Sequence, residues 1–198
     1  MAALFAGGAP AVRCFAQADF ATTALLVAAP DLRGSMFERS VVLVTRAPDA
    51  NTIGLILNSR TDAGSAADPE RPQGANQLAG LYRGGPLATQ SYFALAETTA
   101  VATGTVQLGG GIQLAAGSPA TRSLFAAAGS GRSKLFRGYS GWAPGQLAQE
   151  VKGGAWIVQQ ADADVIFDAV PETLWERMTS KQRAVRNRPG KWGDAAAA

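Results

Sequence analysis

Any chemistry in this chain must be done without histidine. None occurs among its 198 residues. That excludes Ser-His-Asp and Cys-His catalysis and histidine-ligated zinc, and removes the commonest general base near neutral pH. The remaining candidates are few. Ser140 lies in "RGYSGWAPGQLAQEV" (137–151), but a serine needs a base beside it to become a nucleophile, and "GYSGW" lacks the G-x-S-x-G spacing. "GSGRSKL" (129–135) has the look of a phosphate loop, yet Lys134 follows Gly131 by three and precedes Leu135. A phosphate loop also leaves a strand and opens a helix, whereas this one does the reverse. "GGGIQLAAG" (109–117) does not lead into a helix as a dinucleotide fingerprint must.

The carboxylates are no more decisive. Asp162, Asp164 and Asp168 could hold a divalent cation, but Asp162 and Asp164 stand before a helical turn, where acids face the helix dipole. Glu150 and Glu172 could form a glycosidase-style pair, although nothing in their spacing brings them together. No catalytic residue, metal or cofactor is assigned from these patterns. Residues 177–191 carry six bases (Arg177, Lys181, Arg183, Arg186, Arg188, Lys191) and no acid; removing them turns a balance of 18 basic to 15 acidic residues net negative. Such a run could touch phosphates, but it lacks interleaved aromatics and a helix-turn-helix beside it, so a solvated tail is expected and nucleic acid is not.

The elements that must position these groups follow from apolar runs and turn residues. The chain is 47% hydrophobic and 17% charged, with 23 glycines and 10 prolines, which suits a single domain with a sizeable core and many turns. No apolar run approaches the roughly 20 residues of a membrane helix. Cys14 is the only cysteine, so no intramolecular disulfide forms. The Ala-rich start has no basic stretch ahead of its apolar part, as a signal peptide would, so residues 1–19 are expected to be a flexible extension of a cytoplasmic protein.

Strands are expected at 24–30, 41–45 and 53–58, the last two as a hairpin across the turn 47–52, and a mobile loop at 59–75. "NQLAGLY" (76–82) suggests a helical turn and "SYFALA" (91–96) a strand, and two strands flank the triple glycine. Residues 118–129 read as a helix with Ser118 as N-cap, Pro119 at N1 and Gly129 as the stop. A strand at 133–139, a helix at 143–154 with Pro144 at N1, a strand at 155–160 and helical turns over 161–178 complete the domain. Strands in runs with helices late in the chain indicate an α+β fold. The stretch 138–147 is thus expected to be a strand-to-helix turn with Trp142 packed inward and its indole bonded.

"GYSGWAPGQL" followed by "AWIVQQADADVIFDAVPETLWERM" resembles the YqgE/AlgH family of bacterial proteins. The matching residues are Gly138, Tyr139, Ser140, Gly141, Trp142, Gly145, Gln146 and Leu147, then Trp156, Phe167, Asp168 and Trp175. Pro30, "FERSVVLV" (37–44), "IGLILN" (53–58) and "GGP" (84–86) match as well, so the resemblance covers about residues 20–178. It implies an α+β fold with a small bifurcated or partly closed barrel-like sheet and surrounding helices. The domain would span 20–178, with 179–198 as a basic C-terminal tail. Histidines are usual in the family after the second strand and after the strand matched by "YFALA"; Thr45-Arg46 stand at the first place, and Ser59-Arg60 replace the usual Arg-Pro after Asn58. Chemistry that used those histidines is closed to this chain.

The resulting expectation is a regulatory or protein-binding module with an unidentified protein partner and no membrane. Its candidate surface is Asn58, Gly84, Gly85, Tyr139, Ser140, Trp142 and Gln146. The alternatives are a histidine-independent enzyme using carboxylates or a metal, or weak nucleic-acid binding through the tail.

Overall fold

Runs apolar at every position, such as Leu25–Ala28 and Val41–Val44, need cover on both faces. The computed structural model supplies it with one curled sheet and helices outside it. It describes residues 23–46, 51–61, 71–72 and 80–186, with the side chains of the last helix described to Lys181. The N-terminal extension with Cys14, residues 47–50 of the expected turn, residues 62–70 and 73–75 of the expected loop, residues 76–79 of the expected helical turn, and the tail beyond 186 lie outside the described residues.

The strands are β1 (Ala24–Ala28), β2 (Val41–Arg46), β3 (Thr52–Ile56), β4 (Arg60–Thr61), β5 (Leu81–Arg83), β6 (Leu87–Glu97), β7 (Thr105–Gly109), β8 (Ile112–Ala116), β9 (Ser133–Trp142) and β10 (Trp156–Gln160). The helices are α1 (Ser118–Ala128), α2 (Gln146–Lys152), α3 (Ala163–Ile166) and, after a 3-10 turn at Pro171–Thr173, α4 (Leu174–Arg186). The sheet runs β10-β1-β2-β3-β9-β6-β8-β7, with every neighbouring pair antiparallel. Strand β9 is long enough to serve two partners along one edge. Its end, Ser140–Trp142, pairs with β3, while Leu135–Arg137 pairs in parallel with β5, which also carries β4. The sheet therefore forks at β9, as the expected bifurcated architecture requires. It also curls, bringing the start of β1 to β7: the Thr23 hydroxyl donates to Leu108 O at 3.1 Å.

Alternation divides the core into three parts. Leu25, Val27, Leu43, Leu55, Phe93, Leu95, Leu114 and Phe136 fill the concave side, closed by Ile166, Leu174 and Met178 from α3 and α4. Outside, Leu26, Val42, Val44 and Ile56 pack with Trp142, Leu147 and Trp156 near α2. Ala94, Ala96, Ala115 and Leu135 pack under Leu124 and Phe125 of α1.

Several local expectations are corrected. Leu81 and Tyr82 lie in a strand, not a helical turn, because β5 finds a partner edge on β9. Arg60–Thr61, placed within the expected mobile loop, form β4 against β5. Gly117 is the N-cap of α1 and no side chain caps it, so Ser118 is already helical. Gly145 (φ +80°) is the N-cap of α2, and Pro144 precedes the helix. Residues 138–142 remain in β9, and only 143–145 turn. Gly138 is glycine because the strands cross closely there. With φ +70°, a Cβ at this position would meet Gly85 O at 2.7 Å and Leu87 O at 2.8 Å. Opposite it, β6 slips register between Leu87 and Tyr92. Helix α4 continues past residue 178 to Arg186, with Thr179 buried.

Candidate functional site

The strand pattern that builds the concave core also sets a lysine at its end. Phe136 faces the concave side, so Lys134, two residues earlier in β9, shares that face. Lys134 is 4% exposed. Its Nζ donates to Leu57 O at 3.3 Å and lies 4.5 Å from the centroid of the Tyr82 ring. Among the described residues no carboxylate forms an ion pair with it. Burial drives its pKa down from 10.5 to about 8, against the opposing pull of Asp168 and Glu172 and assisted by Arg60.

Lys134 lines a cavity of about 310 Å³. Strands β4 and β5 supply Arg60 and Tyr82, the turn after α1 supplies Ser130 to Arg132, β9 opens with Ser133, and the loop after α3 supplies Phe167, Asp168 and Ala169. Gly80 also lines it, and a Cβ there would meet Arg60 Nε at 2.9 Å, so the glycine leaves room for the guanidinium across the backbone. Arg132 binds Glu97 through Nε at 2.7 Å and Asp164 through Nη1 at 2.7 Å; these bonds raise its pKa further and hold the Glu97 carboxyl low. Burial pushes the Asp168 carboxyl up, but the Arg177 hydrogen bond at 2.7 Å, the Val170 N–H and the charges of Arg177 and Lys134 outweigh it and hold the group low. Burial raises the Tyr82 phenol, with Arg60 opposing and Glu172 and Asp168 reinforcing. The cavity therefore presents cationic groups whose charge is not all consumed within the protein.

The residues picked from the sequence fall in three places. Asn58 is a brace: its Oδ1 accepts from Val41 N at 2.8 Å, and its Nδ2 donates to Arg39 O at 2.9 Å. Gly84, Gly85, Tyr139 and Ser140 meet where the chain before β6 crosses β9. Ser140 is fully buried and donates to Gly84 O at 3.2 Å. A Cβ on Gly84 would meet Gly138 O at 2.1 Å, and one on Gly85 would meet Ser140 Oγ and Tyr139 C, both at 2.3 Å. Tyr139 is half-buried, with its ring 5.3 Å from that of Phe93.

Trp142 and Gln146 meet at Glu150, which the sequence offered only as half of a carboxylate pair with Glu172 and not as part of this surface. Trp142 is 3% exposed, and its Nε1 donates to Glu150 Oε2 at 2.9 Å; Trp156 Nε1 donates to the same oxygen at 2.8 Å. Gln146 Nε2 occupies Oε1 at 3.0 Å, and its own Oε1 accepts from Ala143 N at 3.2 Å. Phe37 stacks on Trp142 and meets Trp156 edge-on. The i,i+4 spacing of Gln146 and Glu150 was the available signal for this pairing.

The acidic triplet is dispersed. Asp162 caps α3 by accepting from Asp164 N and Val165 N, Asp164 pairs with Arg132, and Asp168 pairs with Arg177. Lys134 was visible in the sequence only as part of a failed phosphate motif. The stronger signal was alternation, which sets it on the face of Phe136 in a strand otherwise apolar there.

A family model described as AlgH-like matches residues 25–185. A UPF0301 protein of Thermobifida fusca is 35% identical over 182 residues, covering 81% of this chain and 86% of its own. One from Streptomyces coelicolor is 33% identical over 170 residues, covering 82% and 86%. Among solved structures, a Corynebacterium diphtheriae protein superposes with a TM-score of 0.63 at 29% identity, covering 85% of this chain and 87% of its own. The AlgH protein of Pseudomonas aeruginosa superposes with a TM-score of 0.64 at 22% identity, covering 96% and 100%, and shares the fold. The chain belongs to the AlgH-like family. Membership accounts for the forked, curled sheet and assigns no reaction. No helix among the described residues is long and apolar enough to cross a membrane.

Proposed function

We propose that this AlgH-like protein is a regulatory binding module whose input is a small anion held over Lys134. The observation that carries the reading is a buried cation at an open cavity, with Arg60 beside it and no carboxylate pairing with it. A buried charge without a counter-ion is costly, and an anionic ligand would supply one. Arg60, exposed on β4, offers a planar fork suited to a carboxylate or phosphate, and Ser130, Ser133 and Tyr82 add hydroxyls. The output would be contact with a protein partner in the cytoplasm, across the outer surface around Gln146. Gln146 is exposed beside the fixed Trp142–Trp156–Glu150 cluster, and Gly141, also exposed, faces Tyr139 on the other side of β9. The carboxylate-enzyme alternative is less well supported, because both Glu150 oxygens are occupied by structural donors.

The test is a titration of the full chain with oxalate and with inorganic phosphate, followed by amide shifts and calorimetry. The Ser133 and Lys134 amides should move. Arg60→Gln should weaken binding about tenfold, the effect of losing one charge-assisted hydrogen bond. Failure of both anions to perturb these amides at millimolar concentration would refute the reading.

A further inference from the structure

We propose that Lys134 is a covalent capture residue that forms a reversible imine with a small 2-oxo acid or carboxylate-bearing aldehyde in the cavity. The inference rests on the anion reading above and names the ligand class. A lysine that captures carbonyls needs an amine shielded from bulk water, a cavity through which the carbonyl can arrive, and a cation to hold the rest of the ligand. Lys134 is buried yet lines the cavity, and Arg60 lines it too. The single hydrogen bond to Leu57 O orients Nζ without consuming it: a neutral amine can donate one N–H there and keep its lone pair for the cavity. No carboxylate forms an ion pair with Nζ: Asp168, whose Oδ1 takes Arg177 and the Val170 N–H, favours the ammonium form only through its charge, and burial outweighs that pull. With a pKa of about 8, about a quarter of the Lys134 side chains carry a free amine at pH 7.5, whereas an ordinary lysine is almost wholly protonated.

The step balances without an outside oxidant or reductant. The Nζ lone pair attacks the carbonyl carbon while the carbonyl oxygen takes up a proton, and nitrogen loses one, giving a carbinolamine. The hydroxyl then takes up a second proton and leaves as water while nitrogen gives up its remaining proton and the C=N bond forms. Amine plus carbonyl become imine plus water, and hydrolysis reverses the step. The carboxylate of Asp168 and the phenol of Tyr82, both lining the cavity, are the groups available to accept and donate these protons.

The experiment incubates the full chain with glyoxylate and cyanoborohydride at pH 7.5, which reduces any imine to a stable carboxymethyl-lysine, and maps the adducts by peptide mass spectrometry. Lys152 and Lys181, both exposed, are internal references. Lys134 should be modified at least ten times faster than either. Oxalate, which has the charge but no reactive carbonyl, should slow labelling at Lys134 alone. Modification of Lys134 no faster than Lys152, with oxalate still shifting the Ser133 amide, would overturn the imine and leave the anion site standing. The same slow labelling with no oxalate binding would overturn both. Because the readout is made on the unmutated protein, it does not depend on a variant folding; Lys134→Arg adds a form that keeps the charge and should take up no adduct.

Discussion

Glu150 holds two buried indoles with one oxygen, and its removal should be among the more damaging single changes on the outer face of the sheet. Trp142 Nε1 and Trp156 Nε1 reach Oε2 at 2.9 and 2.8 Å, and the two residues are 3% and 4% exposed. In Glu150→Ala neither N–H has another partner at hand, and each stranded buried donor costs about 1–3 kcal/mol. Gln146 is exposed and can turn its amide to water, so its lost bond adds little. The expected loss is therefore about 2–6 kcal/mol. Glu150→Gln retains one acceptor oxygen for the pair but exchanges charge-assisted bonds for neutral ones, and its new NH₂ faces the Gln146 Nε2 donor. It should cost about 1–2 kcal/mol. The assay is urea unfolding followed by tryptophan fluorescence, with the midpoint shift read at constant m-value. A Glu150→Ala protein within about 0.5 kcal/mol of the parent would refute the reasoning, as would a Glu150→Gln variant as unstable as Glu150→Ala.

Three further outcomes can be measured the same way. Gly85→Ala should destabilise by about 3 kcal/mol or more, because the added methyl would meet backbone atoms of Tyr139 and Ser140 that cannot retreat; a near-neutral result would show that the crossing is looser than its distances. Asn58→Ala should cost about 1–2 kcal/mol by leaving Val41 N–H and Arg39 C=O without their partner, seen as a lower urea midpoint. Lys134→Met should remove a pH dependence. Between about pH 8 and 10.5 the unfolded lysine is protonated and the folded one is not, so parent stability gains from this group as pH rises through that window, by up to about 3 kcal/mol. Asp168, Glu172, Arg60 and Tyr82 act on Lys134 and remain in the variant, so the difference between the two pH profiles isolates Lys134. Parallel profiles would refute the assignment.

What could be read from the sequence was set by neighbours close along the chain. The β2–β3 hairpin is local, and its apolar runs could be nothing but strands covered on both sides. Trp142 was expected to be buried and bonded, and it is. The glycines around Tyr139 misled for a physical reason: they resemble turn residues, but Gly138 and Gly85 are small because two backbones touch there inside the sheet. The register slip in β6 that accompanies the crossing depends on residues some fifty positions away from Gly138, beyond any local pattern. The cavity was hidden for the same reason. Arg60, Tyr82, Lys134 and Asp168 come from four separate segments, and only the parallel pairing of β5 with β9 and the loop after α3 bring them together.

Lys134 is the position where stability and architecture give different answers. A methionine or leucine beside Tyr82 would extend the apolar concave face without the burial cost that moves the lysine from 10.5 to about 8. That cost is about 3 kcal/mol, a sizeable part of the total stability of a typical domain. A cation–π contact with Tyr82 and one long hydrogen bond to Leu57 O return only part of it. Nor does the lysine secure the fold through an ion pair, since Asp168 is committed to Arg177, and Glu97 and Asp164 to Arg132. The uncompensated remainder is what a ligand binding there would recover. This separates Lys134 from Glu150: removing the carboxylate should cost stability in every condition, whereas removing the lysine should leave the empty protein at least as stable at neutral pH and show its loss only when an anion or a carbonyl is offered.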